Sequence, residues 1–354
     1  MKSRLLFGFY QNFLHQQNRV VNLNIQKRFK TEMSFKTKSV HCYKKLFPWK
    51  NSSELAEHLA STIAYNKDGL IALNKPFGIQ IHHGETDTPR GKQRYVIPSL
   101  PNCDLTIEEA LDDLKEHLNI PNLTILKSTE RYSSGIVLLS TNENTTASVK
   151  KSFNRAKFHK IPNLIYWALT LGCPGANYKK EKVGLKFEEV EGKRQPIIVA
   201  DPSLKASRLK KVHPVHVEYR VLSMNKKFPS SLVEISTSST KFYFVRVYAS
   251  SQISSILGDL LYSNRMNTLM GVPIKVHVQH AQAFDLPELP DNMSELLNLP
   301  KGSNISAMPT MLHLRSVFLP SFKGKDVIIT ADMPTHFKWT TEKLNLLPTS
   351  CSVK

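Results

Sequence analysis

Glu130 and Arg131 lie where a polar segment of the chain runs into an apolar one. Residues 127–139 read KSTERYSSGIVLL, and the last five form an apolar run of the length of a buried strand. Catalytic groups often occupy such loops, because the strand fixes their position while the loop keeps them accessible. Glu130 is therefore a candidate catalytic carboxylate. An ordinary surface loop that enters a strand is the alternative.

A second charged candidate lies in an aromatic segment. Residues 241–249 read KFYFVRVYA, and their alternation predicts a strand that carries Arg246 on the same face as Phe242, Phe244 and Tyr248. An unpaired buried charge is costly, so an arginine among aromatic rings needs a counter-ion or a cleft.

Short strands and a few amphipathic helices would position these residues. Thr106 and Glu109 form a capping box that predicts the start of a helix. A further helix is predicted over 143–158, with Ala147, Phe153 and Ala156 facing inward. Further strands are predicted at 69–73, 135–140, 165–172, 216–221 and 232–236.

Residues 179–211 carry ten Lys or Arg against five acidic residues. Gly184, Gly192 and Pro196 are expected to interrupt any regular element there. This pattern favours a basic excursion from the sheet that suits a phosphate backbone, and a solvated loop is an equally good interpretation.

The segment around Glu130 resembles the H-R-L-D-x-x-T-S-G-L-L-L-L motif of the RluA-type pseudouridine synthases. Ser134, Gly135 and the apolar run are in register, and the family's catalytic aspartate falls on Glu130. Lys127, Ser128 and Thr129 replace the family's His-Arg-Leu. The resemblance extends over about residues 68–345 through matching segments at 69–84, 165–172, 241–249, 258–262, 311–319 and 331–334.

This resemblance implies a role for each matched residue. Glu130 would be the nucleophile or base, Arg246 its ion-pair partner, and Tyr166 the residue that stacks on the target base. Three basic residues, Lys75, Arg131 and Lys241, are assigned to RNA binding, and Lys75 could equally be structural.

The resemblance and the strand pattern together imply an α+β fold. Its core would be a mixed, largely antiparallel bisected β-sheet with flanking helices and a central RNA-binding cleft. The implied activity is conversion of uridine to pseudouridine in mitochondrial RNA, with neither a cofactor nor a metal. The alternative is an inactive RNA-binding relative that acts in RNA or ribosome maturation, because glutamate replaces the catalytic aspartate. A glycosidase is a weaker reading, since the motifs offer no second acid.

Composition agrees with an RNA partner. The 354 residues have a net charge of +19, and the first 50 hold 11 Lys or Arg against one acid, Glu32. Residues 1–31 contain no acid and resemble a mitochondrial transit peptide, although a disordered basic tail that contacts RNA is the alternative. We expect a linker at 32–67, a catalytic domain at 68–345 and a tail at 346–354.

The remaining features concern the compartment. The four cysteines are scattered without C-x-x-C spacing, which indicates neither a zinc site nor a disulfide framework and favours a reducing compartment. The sequence has no apolar run of about 18 residues, so no membrane span is predicted. The expected location is the mitochondrial matrix, with association to RNA granules or ribosomes.

Overall fold

The computed structural model describes residues 40–83, 103–270, 272–281 and 285–348. Described residues from Cys42 onward belong to one compact unit. The expected transit peptide at 1–31 and the last six residues of the expected tail lie outside the described residues. In the described part of the chain, no helix is both long and apolar enough to cross a membrane.

The secondary structure mixes short helices with many strands. The α-helices of the described residues are α1 (Ser52–Ser61), α2 (Ile107–Leu118), α3 (Glu143–Phe158), α4 (Leu204–Arg208), α5 (Phe244–Ser251), α6 (Val278–Ala281), α7 (Asp291–Leu296) and α8 (Thr335–Lys343). The strands are β1 (Ile63–Lys67), β2 (Leu70–Lys75), β3 (Thr124–Lys127), β4 (Ser134–Ser140), β5 (Leu164–Leu171), β6 (Tyr178–Val190), β7 (Lys193–Ala200), β8 (His213–Asn225), β9 (Ser230–Thr237), β10 (Ser255–Ile256), β11 (Met266–Leu269), β12 (Val272–Lys275), β13 (Leu312–Phe322) and β14 (Lys325–Thr330).

One large sheet organises the fold. Its strands follow the order β1-β2-β4-β13-β5-β9-β8-β6-β7, with β3 beside β4, β14 beside β13 and β10 beside β5. Among the described strands of this sheet, β4 and β13 pair in parallel, with His313 opposite Ser134, and the other pairs are antiparallel. The expected α+β fold around a mixed, largely antiparallel sheet is confirmed.

The strand that follows Glu130 is buried on both faces. On one face Val137 and Leu139 pack with helices α1 and α2. On the other face Ile136 and Leu138 join the cluster that includes Val149 of helix α3. A continuous apolar run, rather than alternation, is what burial on both faces requires. Because strand β4 is packed on both faces, it fixes the position at which the preceding loop ends.

Residues 42–67, which we assigned to a linker from the sequence, are folded onto this sheet. Helix α1 begins after Asn51, whose side chain accepts a hydrogen bond of 2.9 Å from the Glu54 amide. Leu55 and Leu59 are fully buried, and β1 pairs with β2. This segment therefore forms a helix and a strand rather than a linker, because its apolar residues cover one face of the sheet.

Helix α3 matches its predicted bounds, but its buried face differs from the prediction. Ala147 is exposed and Phe153 is half-buried, whereas Thr145, Val149 and Ala156 face the core. Our prediction of inward positions counted only apolar residues. Thr145 faces inward because its hydroxyl donates 3.0 Å to the Asp68 carbonyl.

The prediction of an irregular excursion at 179–211 is wrong. Strands β6 and β7 form a hairpin whose turn contains Glu191 and Gly192, both with positive φ. Pro196 is tolerated because β7 ends the strand order, where a missing amide donor breaks no ladder. Gly184 lies within β6, where a Cβ atom would overlap the side chain of Val212. The basic residues therefore project from a sheet rather than from a loop.

The predicted strand at 241–249 is also wrong. Residues Lys241–Tyr243 form a short 3-10 turn, and Phe244–Ser251 form helix α5. All side chains from Phe244 to Ser250 are buried. A segment buried on every side has no apolar period that distinguishes a helix from a strand.

Candidate active site

Glu130 lies in the short connection between β3 and β4. Its carbonyl accepts hydrogen bonds from the Ser133 amide at 3.2 Å and the Ser133 hydroxyl at 3.1 Å, which close a tight turn. Gly135 follows with φ of +118°, and a Cβ atom there would overlap the backbone of Leu314 in β13. Only glycine permits the backbones of β4 and β13 to come this close. Contact with β13 therefore fixes the first residues of β4 and, with them, the turn that carries Glu130.

Arg246 of helix α5 meets Glu130 in the interior. Its Nη1 lies 3.1 Å from Oε2 of Glu130, so the ion pair expected from the sequence is confirmed. The Arg246 side chain is 2% exposed, whereas 23% of the Glu130 side chain is exposed. Glu130 is therefore the more exposed member of the pair.

A second carboxylate fixes the far side of the guanidinium. Arg246 Nη2 donates to Oδ1 of Asp259, which is 1% exposed. The same oxygen accepts from the amides of Leu261 at 2.9 Å and Tyr262 at 3.3 Å. These bonds anchor Asp259 to the backbone and leave Arg246 little freedom to turn away from Glu130.

Two tyrosine rings complete the cage around the cation. The rings of Tyr243 and Tyr262 each lie 5.6 Å from the guanidinium carbon of Arg246. Their faces attract a cation and exclude water from it. The cation is thus held by two carboxylates and two rings, and this low-dielectric surrounding strengthens each interaction.

Burial dominates the acidity of Glu130. Desolvation raises the pKa of Glu130 above its ordinary value, and the charge and hydrogen bond of Arg246 only partly oppose that shift. The nearby Asp259 raises the pKa further. Burial lowers the pKa of Arg246, but Asp259 and Glu130 outweigh burial and raise it overall. Arg246 is therefore a permanent cation, and Glu130 is the group that can exchange a proton.

Tyr166 lies on β5, near enough to Glu130 for the charge of the carboxylate to act on the phenol. It is 3% exposed on β5, where its residue partner in β13 is Leu314, which also pairs with Gly135 of β4. Burial and then the charge of Glu130 raise the pKa of the Tyr166 phenol. The phenol is thus neutral, and the structure brings it into electrostatic range of the carboxylate.

Lys75 and Arg131 do not match their assignment to RNA binding. Lys75 is completely buried, and its Nζ donates to four backbone carbonyls, of Ser133 at 2.7 Å, Ile79 at 3.0 Å, and Pro76 and Arg131 at 3.2 Å. Arg131 is 4% exposed and donates to the carbonyls of Gly78 and Cys103 at 3.2 Å. Both cations tie the Glu130 loop to neighbouring segments, and neither reaches a phosphate. Lys241 is exposed, as RNA binding requires.

Our sequence reasoning missed three members of the site. Asp259 and Tyr262 belong to the matching segment at 258–262, which reads GDLLY and which the sequence does not connect to Arg246. Tyr243 lies in the segment that contains Arg246, and nothing in the sequence assigned it a role. The signal for Asp259 was an acid in an otherwise apolar, glycine-led segment, which demands a buried cation as partner.

Known proteins with similar sequences agree with the resemblance drawn from the motifs. No family model matches the chain. Its sequence is similar to that of the mitochondrial mRNA pseudouridine synthase RPUSD3 of Homo sapiens, with 27% identity over 301 residues, which cover 83% of this chain and 78% of the relative. The pseudouridylate synthase RPUSD4, mitochondrial, of Mus musculus is 23% identical over 307 residues, covering 82% of this chain and 71% of that protein.

A solved structure agrees with the fold. The human RNA pseudouridylate synthase domain containing 4 superposes with a TM-score of 0.57 and 19% identity, over 83% of this chain and 97% of that one. The fold and the relatives agree with a resemblance to the class of the pseudouridine synthases, so the RluA-type resemblance drawn from the motifs is confirmed. Within that class the relatives above are the mitochondrial proteins RPUSD3 and RPUSD4.

Proposed function

We propose that this protein is an RNA pseudouridine synthase that converts uridine to pseudouridine in mitochondrial RNA. The observation that carries the proposal is the pairing of Glu130, at the position of the family's catalytic aspartate, with the buried Arg246, within electrostatic range of Tyr166. The printed names of the relatives support the same reaction.

The reaction is an isomerisation in which atoms and electrons balance within the substrate. The bond between uracil N1 and ribose C1′ breaks, the base turns, and C5 forms a new bond to C1′. The proton on C5 leaves and N1 gains one, so no oxidant, reductant or group donor is required.

The described residues can serve each step. Glu130 is exposed enough to reach C1′ or to move the C5 proton, and Arg246 holds its carboxylate in one orientation. Tyr166, to which the resemblance gives the stacking role, is 3% exposed, so a flipped uridine, whose unstacking costs a few kcal/mol, can stack on it only if the surrounding side chains move aside. Glutamate extends about one methylene further than aspartate, and the fixed Arg246 compensates by holding the longer side chain.

The test of this function is a pseudouridine map of mitochondrial RNA from cells that lack the protein. Cells are rescued with wild type, Glu130→Ala or Glu116→Ala, which changes an exposed glutamate of α2. Sites that vanish and return with wild type and Glu116→Ala, but not with Glu130→Ala, support catalysis. An unchanged map with defective RNA maturation that Glu130→Ala rescues would instead identify a binding protein.

Mitochondrial matrix is the location we propose, because residues 1–31 are basic and acid-free and the relatives are named as mitochondrial. Deletion of residues 1–31 from a fluorescently tagged chain is expected to abolish import. We also propose that the protein accompanies mitochondrial RNA granules or ribosomes. Ribonuclease-sensitive cosedimentation with those particles in a sucrose gradient would support that association, and sedimentation as a free protein would contradict it.

A further inference from the structure

Two lysines near the ion pair have no acidic partner in the described residues. Lys127 ends strand β3 and is half-buried, and its Nζ donates 2.9 Å to the neutral hydroxyl of Thr240. Burial lowers the pKa of Lys127, and the charge of the nearby Lys241 lowers it further. Two repelling ammonium groups beside a hydroxyl form a site that an anion would stabilise.

An aromatic ring is displayed next to these charges. Phe242 is 41% exposed and has a positive φ of 56°, a conformation that costs a non-glycine residue of order 1 kcal/mol or more. Its ring lies 4.8 Å edge-on from Phe187 and 5.6 Å from the ring of His213. Arg194 lies over the Phe187 ring at 4.7 Å, so the surroundings are aromatic and cationic.

The turn that carries Phe242 leads directly to the candidate active site. The next residue, Tyr243, also has a positive φ, and its ring covers the guanidinium of Arg246. The strained turn therefore directs one ring inward to the ion pair and displays its neighbour outward. Lys127 precedes Glu130 by three residues, and its bond to Thr240 joins the segment that leads to Glu130 to the start of this turn.

We propose that Lys127 and residues 240–243 form a subsite for the nucleotide adjacent to the target uridine. Lys127 and Lys241 hold a phosphate of the single-stranded RNA, and the base of that nucleotide stacks on Phe242. This subsite depends on the proposed function for its uridine, and it adds Phe242 and Lys127, which the family motifs do not assign.

The chemistry favours RNA over a protein partner. Phosphodiesters supply the anion that the two lysines need, and stacking on an aromatic ring accepts any base. An exposed Phe242 beside a carboxylate-free lysine pair meets both requirements within one short turn. A purely apolar partner would leave the paired ammonium groups without an anion.

The experiment measures binding of the full chain to a labelled single-stranded RNA of about ten nucleotides that contains one uridine. In separate oligonucleotides, 2-aminopurine occupies the position on either side of that uridine, since its fluorescence is quenched by stacking. We expect Phe242→Ala to weaken binding roughly five- to a hundredfold and to remove the quenching at one of the two positions. Lys127→Ala with Lys241→Ala should weaken binding and reduce the salt slope by about one.

Matched controls change equivalent residues elsewhere. Phe158 is 80% exposed on α3, and Lys301 is an exposed lysine. Phe158→Ala and Lys301→Ala are expected to keep wild-type affinity and slope, and thermal unfolding checks that all variants fold.

Three outcomes would overturn the subsite. If wild type binds RNA and the Phe242 and lysine variants bind equally well, the subsite is wrong while the proposed function stands. If wild type neither binds RNA nor forms pseudouridine, both fail. If wild type forms a dimer in sedimentation and Phe242→Ala dissociates it, Phe242 serves an interface between copies instead.

Discussion

Oε2 of Glu130 and Nη1 of Arg246 lie 3.1 Å apart although 116 positions separate the two residues in the chain. Their exposure differs, because the arginine is buried and held from its far side by Asp259, while the glutamate retains exposed surface. Arg246 is thus a fixed positive charge in the protein interior, and Glu130 is its reachable partner. This asymmetry is the basis on which we propose that the arginine positions the carboxylate and that the carboxylate reacts.

Glu130→Gln is expected to remove most of the activity without unfolding the protein. The amide can neither attack as a carboxylate nor accept a proton efficiently, and loss of such a group costs roughly a hundred- to ten-thousandfold in rate. Arg246 keeps its bond to Asp259, so the fold survives. Pseudouridine formation on a uridine-containing RNA measures the loss, with Glu116→Gln as the control.

Glu130→Asp keeps the carboxylate but changes its position, so this variant tests how strongly the reaction rate depends on that position. The side chain shortens by one methylene, which withdraws the carboxylate from Nη1 of Arg246 by about 1 Å and is expected to cost on the order of a hundredfold in rate. The same assay provides the measurement. Full activity in this variant would show that the helix moves to follow the shorter side chain.

The pH dependence follows from the raised pKa of Glu130. If the ionised carboxylate reacts, activity falls as the pH drops through that raised pKa, at a higher pH than an ordinary glutamate would give. The free energy of unfolding depends on pH in the opposite direction from the activity, because a folded-state pKa above the unfolded value favours the native state at low pH. That contribution is lost as pH rises from the unfolded pKa through the folded one. Rate profiles and denaturant unfolding of wild type and Glu130→Gln measure both, and Glu130→Gln should lack this stability change.

Asp259→Asn is expected to destabilise the protein strongly. It removes one carboxylate from a buried Arg246, and breaking a buried ion pair costs about 3–5 kcal/mol. Urea unfolding measures the change in the free energy of unfolding. The control is Asp112→Asn, which breaks an exposed pair with Lys115 and should cost less than about 1 kcal/mol.

Lys75→Met tests whether Lys75 is a structural residue. The substitution leaves four carbonyls without their shared donor, and we expect a loss of about 1–3 kcal/mol in the free energy of unfolding. Lys301→Met is the exposed control. A variant as stable as wild type that binds RNA much more weakly would restore the original assignment to RNA binding.

The Glu130–Arg246 pair was predictable because each residue falls at a fixed position of a motif. The same motifs could not reveal that Lys75 is buried, since its four carbonyl partners come from two segments that meet only in the folded chain. Sequence alternation placed Arg246 on a strand, and complete burial of the segment explains why it is a helix.

Two features of the turn before α5 leave no trace in the sequence. Phe242 and Tyr243 both have positive φ, although neither is glycine, asparagine or aspartate. Tertiary packing against Phe187 and Arg246 imposes these conformations. From their residue types, Phe242 and Tyr243 would be expected to have negative φ. The sequence therefore did not predict that Phe242 is exposed.

The parallel pairing of β4 with β13 has a consequence for how the chain folds. Ser134 and His313 form a hydrogen bond of 3.0 Å across 179 positions of sequence, so strand β4, which already pairs with β2 and β3, gains β13 as a neighbour only after most of the chain has been synthesised or imported. Such distant contacts slow folding. Until β13 docks, the facing edges of β4 and β5 present unpaired backbone groups that can join other chains. We therefore expect docking of the segment around residues 312–322 to precede activity and to protect these edges from aggregation.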